Sequence, residues 1–152
     1  MARDCAWLRV RQASRALTAI YDARLQPAGI VTSQLSVLVA LAALGEREIG
    51  IGDLARELAV DRTTLTRNIR PLEKAGLIRV ARSPSDARTR LVLLTLTGAR
   101  AVEAAFPLWE QAQRSVRETL GAVGVDELFA RLGEVAELGA AGARRRARAG
   151  RG

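Results

Sequence analysis

The side chains in this chain best placed to do chemistry are arginines and threonines set about one helical turn apart. In RTTLTRNIRPLEKAG, residues 62–76, Leu65, Ile69 and Leu72 fall at i, i+4 and i+7, the spacing of a stripe to be buried. A helix that buries this stripe turns Arg62, Thr63, Thr64, Thr66, Arg67 and Arg70 to solvent. Such groups suit the major groove of DNA. A guanidinium can donate two hydrogen bonds to guanine, and threonine can meet a thymine methyl or a base edge. β-Branched residues are poor choices for a helix surface on stability alone. Taken by itself, the segment also fits a helical hairpin with an arginine-decorated surface.

A second concentration lies in RSPSDARTR, residues 82–90, where Arg82, Ser83, Arg88 and Arg90 surround a single acid, Asp86. Such a loop can lie against phosphates. Arg88 is the candidate for a narrow, electronegative minor groove, with Asp86 expected to orient the loop through a salt bridge. A solvated turn closed by Asp86 and Arg88 is the other reading. The chain has no histidine, and its one cysteine, Cys5, has no partner for an intramolecular bridge. The usual zinc and histidine-base sites are therefore excluded, and no Gly-rich phosphate loop is present. No catalytic residue, metal or cofactor is expected, and the chain reads as a non-enzyme.

The elements that must position these residues follow from hydrophobic period. Leu8, Ala13, Ala16, Leu17, Ile20 and Leu25 mark a first helix that stops at Pro27 and Gly29. Thr32 is placed to cap a second, carried by Leu35, Leu38, Val39, Leu41 and Ala42 and ending near Gly45. Then IGDLARELAV supplies a short helix burying Leu54, Ala55 and Leu58, with Ala55 and Ala59 small enough for a close crossing. Asp61 is the expected N-cap of the arginine-bearing helix, Pro71 should bend its last turn, and Gly76 ends it. After Gly76 the period alternates, predicting a β-hairpin of residues 77–82 and 90–94 around a polar 83–89 loop. Helical spacing returns in Val102, Phe106, Trp109, Gln113, Val116 and Leu120. Pro107 is expected to kink this helix, and Gly121 and Gly124 to break it before a last helix of Val125, Leu128, Phe129, Leu132 and Val135.

The fold class expected is mainly α with a small β-hairpin wing: a winged helix-turn-helix flanked by N- and C-terminal helices. With 152 residues and 49% hydrophobic content the chain can bury one substantial core. No stretch reaches the ~18 to 20 apolar residues of a bilayer span, and the start lacks the apolar run of a signal peptide, so a cytoplasmic protein without a membrane partner is expected. The net charge of +8 is weaker guidance than it looks, because Arg144, Arg145, Arg146, Arg148 and Arg151 lie in an acid-free end. Residues 144–152 read as a disordered basic tail.

Three segments then resemble the MarR family of bacterial transcription regulators in order and spacing: LQPAGIVTSQLSVLVAL, DLARELAVDRTTLTRNIRPLEKAGLI and SDARTRLVLLTLTG. The last holds the Asp-x-Arg at Asp86 and Arg88 and the Leu-Thr-x-x-Gly at Leu94, Thr95 and Gly98. The resemblance implies a DNA-binding domain over 31–96 and a homodimerisation region from 1–30 and 97–143. It also implies a repressor acting as a homodimer on a pseudo-palindromic double-stranded DNA operator. The apolar seam of the C-terminal arm agrees, having too little of its own chain to cover it. Family members respond to small aromatic or carboxylate effectors, for which Trp7, Tyr21, Phe106 and Trp109 are the candidate lining; aromatics at helical spacing are also ordinary core. One branch senses peroxides through a cysteine near the start of the first helix. That makes Cys5, with Arg3 and Arg9 nearby, a candidate redox residue, against an inert, partly buried thiol. A winged-helix protein-interaction module without specific DNA binding is the remaining alternative.

Overall fold

The computed structural model of the chain describes residues 4–45, 47–86 and 88–149, with side chains through residue 139. The chain divides into two compact units, Met1–Ala112 and Gln113–Gly152. In the first, helix α1 (Ala6–Leu25) leads through a 3-10 turn, Gln26–Ala28, to α2 (Thr32–Leu44). Gly29 closes the turn at φ 68°, a left-handed conformation that suits glycine. Thr32 does not cap α2 as its type suggested; it is the first helical residue, and Val31 occupies the cap position. The Asp22 carboxylate on α1 accepts instead from the Thr32 amide (2.6 Å) and hydroxyl (2.5 Å), and Gln34 accepts from the Val31 amide (3.2 Å). Both acceptors satisfy donors that the first turn leaves open.

Helix α2 is apolar around most of its circumference, which is why period alone misplaced its inner face. Leu35, Val37, Leu38 and Leu41 are buried, whereas Val39 and Ala42 are exposed. Around α2 the core gathers Leu25, Leu54, Leu65, Ile69, Leu72 and Val92. Strand β1 (Ile49–Gly50) precedes helix α3 (Ile51–Glu57), and helix α4 (Arg62–Lys74) leads into strands β2 (Ile78–Arg82) and β3 (Arg90–Leu94). The three strands form an antiparallel sheet in the order β1-β3-β2. The hairpin is where alternation placed it, running from Ile78 opposite Leu94 to Arg82 opposite Arg90. Strand β1 was not foreseen, because two residues carry no readable period.

Helix α5 (Leu96–Ala149) starts at a tight junction. The Thr95 hydroxyl donates to the Gly76 carbonyl (2.7 Å), with that of Leu77 at 3.0 Å, and accepts from the Gly98 amide (3.0 Å). The Thr95 amide donates to the Leu77 carbonyl (3.1 Å). A Cβ at Gly98 would stand 2.0 Å from the Leu77 carbonyl oxygen, so no other residue fits without moving backbone. This contact accounts for the Leu-Thr-x-x-Gly pattern.

Pro107 lies inside α5 without interrupting its helical conformation; the non-helical conformation within α5 is at Gly121 (φ 73°, ψ 161°), one of the two glycines expected to break it. Proline sacrifices one hydrogen bond, whereas this φ is open chiefly to glycine. Gly124 stays helical. Helix α5 extends through Ala149, and residues 150–152 lie outside those described. In the second unit Val116 and Val125 are buried, whereas Val123, Phe129, Val135 and Leu138 are exposed. No single helix among the described residues is long and apolar enough to cross a membrane.

Two substitutions test the junctions by urea denaturation. Gly98→Ala should cost roughly 3 kcal/mol, the upper range for overpacking; an unchanged midpoint would remove the role given to the Leu77 contact. Ala59 has φ 52°, the only described non-glycine residue on the positive side. Ala59→Gly should add roughly 0.5 kcal/mol, as relief of left-handed strain outweighs the extra freedom of glycine in the unfolded chain. A lower midpoint would contradict that reading.

Candidate nucleic-acid interface

Helices α3 and α4 are joined by a turn with little freedom. Ala55 is buried, but Ala59 is not part of a helix crossing; it is exposed and makes the turn itself in its left-handed conformation. The carbonyls that end α3 are satisfied by the Leu58, Ala59 and Val60 amides, which donate to Leu54, Arg56 and Ala55 (3.0 to 3.2 Å). Asp61 then caps α4 as expected. One carboxylate oxygen accepts from the Thr64 amide (2.8 Å) and the other from the Thr64 hydroxyl (2.5 Å). These bonds, the Thr64 hydroxyl first, hold the Asp61 carboxyl below its usual pKa range.

Leu65, Ile69 and Leu72 are buried, anchoring α4 against α2 and α3. The Ser33 hydroxyl on α2 also donates to the Asn68 side chain at 3.3 Å. The outer face is left open. Arg62, Thr63, Thr66, Arg67, Arg70 and Pro71 line a shallow depression of about 600 Å³ that contains no acid. Thr64, grouped with them by sequence, does not line it. Pro71 lies within α4 without ending it, since the Ala75 amide still donates to the Pro71 carbonyl (2.9 Å).

The wing loop is held largely by the Asp86 side chain. Asp86 accepts from the Arg88 amide (2.9 Å) and the Thr89 hydroxyl (2.8 Å), which lowers its carboxyl pKa, the Arg88 bond contributing most. The expected salt bridge from Asp86 to the Arg88 guanidinium is not among the described ion pairs. An amide two residues on is within reach of a short carboxylate, and using it leaves the guanidinium outside. Ser83 is buried and shares a hydrogen bond with the Ser85 hydroxyl (2.9 Å), so it shapes the turn and does not face outward. Arg82, Arg88 and Arg90 are exposed, with Arg82 directly opposite Arg90 across the hairpin. Like charges so placed repel.

Thr89 and Gly50 escaped the sequence reading. The Thr89 carbonyl accepts from the Ser83 amide and its own amide donates to the Asp86 carbonyl, both at 2.9 Å. Its methyl would lie 3.3 Å from a Cβ at Gly50, so glycine in β1 lets the wing base settle on the sheet. Nothing in a lone threonine or glycine signals such a contact.

The other candidate residues are dispersed. Phe106 and Trp109 stack, with ring centroids 5.7 Å apart, and Tyr21 is half-buried. Trp7 is 66% exposed, with the Arg11 guanidinium 5.3 Å from its ring centroid. Cys5 is exposed rather than partly buried, at the cap position of α1; Arg3 lies outside the described residues.

Comparison with known proteins gives one consistent answer. The family model described as the MarR family matches residues 30–89. The M. tuberculosis transcriptional regulator MosR, solved in complex with DNA, is 35% identical, with 89% of this chain and 98% of that one covered and a TM-score of 0.75. BpsR of Bordetella bronchiseptica, solved in a study of how 6-hydroxynicotinic acid regulates its DNA binding, is 27% identical, with 84% and 95% covered and a TM-score of 0.74. The transcriptional activatory protein BadR of Rhodopseudomonas palustris is 36% identical over 97 residues, 62% of this chain. The chain spans 57% and 51% of the lengths of the curated relatives it matches.

The two aspartates give the fold a pH dependence of defined sign. A carboxyl held below its usual range contributes stability that is complete above its unfolded pKa of about 4 and is lost as pH falls through the lower folded value. Thermal melts should therefore show a loss concentrated below about pH 4. Asp61→Asn keeps a capping oxygen but cannot titrate, and should lose less over that range. Parallel losses in the two proteins would mean that the charge on the cap contributes nothing.

Proposed function

The chain belongs to the MarR family, whose members regulate transcription, and on that premise we propose that it reads double-stranded DNA with α4. One observation carries this: an exposed depression lined by arginine and threonine, with no acid, on a helix anchored by its opposite side. Arg67, centred in that stripe, is assigned the bidentate contact to guanine, and Arg62 and Arg70 the flanking contacts. Arg88, with its amide held by Asp86, is assigned to the minor groove, and Arg82 and Arg90 to the phosphates beside it.

The proposed assembly is a homodimer built from residues 1–30 and 97–143. Helix α1 exposes Trp7, Val10 and Ile20, and the second unit exposes Val123, Phe129, Val135 and Leu138. Large apolar side chains on both elements call for a covering surface, and a second copy supplies it. Two-fold symmetry then sets two α4 helices on half-sites roughly 34 Å apart in a pseudo-palindrome. The proposed action is repression in the cytoplasm, a dimer seated over a promoter excluding polymerase. Release by a small aromatic or carboxylate effector is proposed by analogy with BpsR, whose DNA binding 6-hydroxynicotinic acid regulates.

Fluorescence anisotropy with the DNA upstream of the chain's own gene, at about 0.15 M salt, tests the reading. Preference over random duplex should reach about a thousandfold or more. Arg67→Ala should weaken specific binding about tenfold or more and erode sequence preference. Arg88→Ala should weaken operator binding with preference in the major groove retained. No preference in the parent, or unchanged affinity in both variants, overturns the assignment and leaves a winged-helix interaction module.

A further inference from the structure

The three threonines of α4 are alike in sequence, but their hydroxyl groups have different commitments. That of Thr64 donates to the Asp61 carboxylate at 2.5 Å and belongs to the cap. That of Thr66 donates to the Arg62 carbonyl one turn back, at 2.8 Å. The Thr63 hydroxyl has no partner among the described residues, and Thr63 is exposed. Thr63 and Thr66 line the outer depression beside Arg67 and Arg70; Thr64 does not.

Threonine carries only two groups on Cβ, a hydroxyl and a methyl. Where the hydroxyl is folded down onto the helix backbone, the methyl remains to meet whatever enters the depression. In the major groove one base presents an apolar group, the 5-methyl of thymine. We propose that Thr66 reads a thymine 5-methyl through its own methyl, that Thr63 supplies the hydroxyl that bonds a base edge, and that Thr64 reads nothing. The assignment rests on the DNA-reading role given to α4 above. It divides one run of similar residues into an apolar reader, a polar reader and a cap.

The full chain is used to enrich binding sites from a random duplex library about 30 base pairs long, enough for two half-sites one turn apart. The enriched duplex is resynthesised with each thymine replaced singly by deoxyuridine, which removes only the methyl. Affinities are measured for the parent, Thr66→Ser, Thr66→Val and Thr63→Val, with circular dichroism melts confirming that each folds. At one thymine per half-site, deoxyuridine should weaken parent binding about fourfold, the effect of losing one buried methyl. Thr66→Ser, which removes the contact from both half-sites of the dimer, should show that loss twice over, about sixteenfold, on the thymine duplex and be indifferent to deoxyuridine there. Thr66→Val should keep both affinity and methyl preference. Thr63→Val should bind more weakly with the methyl preference intact.

An enriched duplex that tolerates deoxyuridine at every position overturns the Thr66 assignment alone. So does an undiminished methyl preference in Thr66→Ser, or a loss in Thr66→Val as large as in Thr66→Ser. Full affinity in Thr63→Val overturns the polar role of Thr63. Failure to enrich any duplex overturns the DNA reading itself, and this inference with it.

Discussion

The contact on which most of the first unit depends is the seat of α5 against the Leu77 carbonyl. It is made where three elements meet: the end of α4, the first residue before β2, and the turn from β3 into α5. Thr95 contributes its amide and hydroxyl to the Gly76–Leu77 segment, and Gly98 leaves the space for the helix to close. The site is indirectly determined there. A helix whose last turn and following strand are fixed this way cannot swing its arginines independently of the sheet.

Within that frame, position and chemistry on α4 have different origins. Position comes from the buried stripe of Leu65, Ile69 and Leu72, and from the Asp61 cap that fixes where the helix begins. Chemistry comes from what those constraints leave exposed. The large net charge contributes less than its size suggests, since much of it falls near the C-terminal end, whereas the α4 depression combines three arginines with no acid. Local arrangement, more than total charge, is what supports the reading proposed for α4.

What could be read from the sequence follows from the range over which each signal acts. Helix α4, its cap and the hairpin were legible, because a 3.6-residue stripe, an N-cap acid and an alternating run are local patterns. Val39 was placed in the buried stripe where Val37 belongs, because α2 is apolar on nearly every side and burial depends on what surrounds it. The Thr32 amide and hydroxyl find their partner ten residues back in Asp22, and β1 exists only because β3 lies beside it. Gly121 and Gly124 were both expected breaks; among them the backbone leaves the helical conformation at Gly121, where the positive φ is cheap for glycine. Asp86 was tied to the right residue but to the wrong atoms, since sequence names Arg88 without saying whether its amide or its guanidinium is nearer.

The arginines facing each other at the base of the wing make that hairpin a poor neighbour to itself. Arg82 and Arg90 occupy one cross-strand pair, and the hydrogen bonds around Ser83, Asp86 and Thr89 hold the loop despite the repulsion. Added salt therefore acts on the wing in two opposed ways. It relaxes the tension within the free hairpin by screening the pair, and it weakens the pull of any phosphate that would do the same more completely. A polyanion at this loop would therefore screen the like-charged pair as well as attract it, so the two effects of salt on the free and the occupied hairpin run in opposite directions.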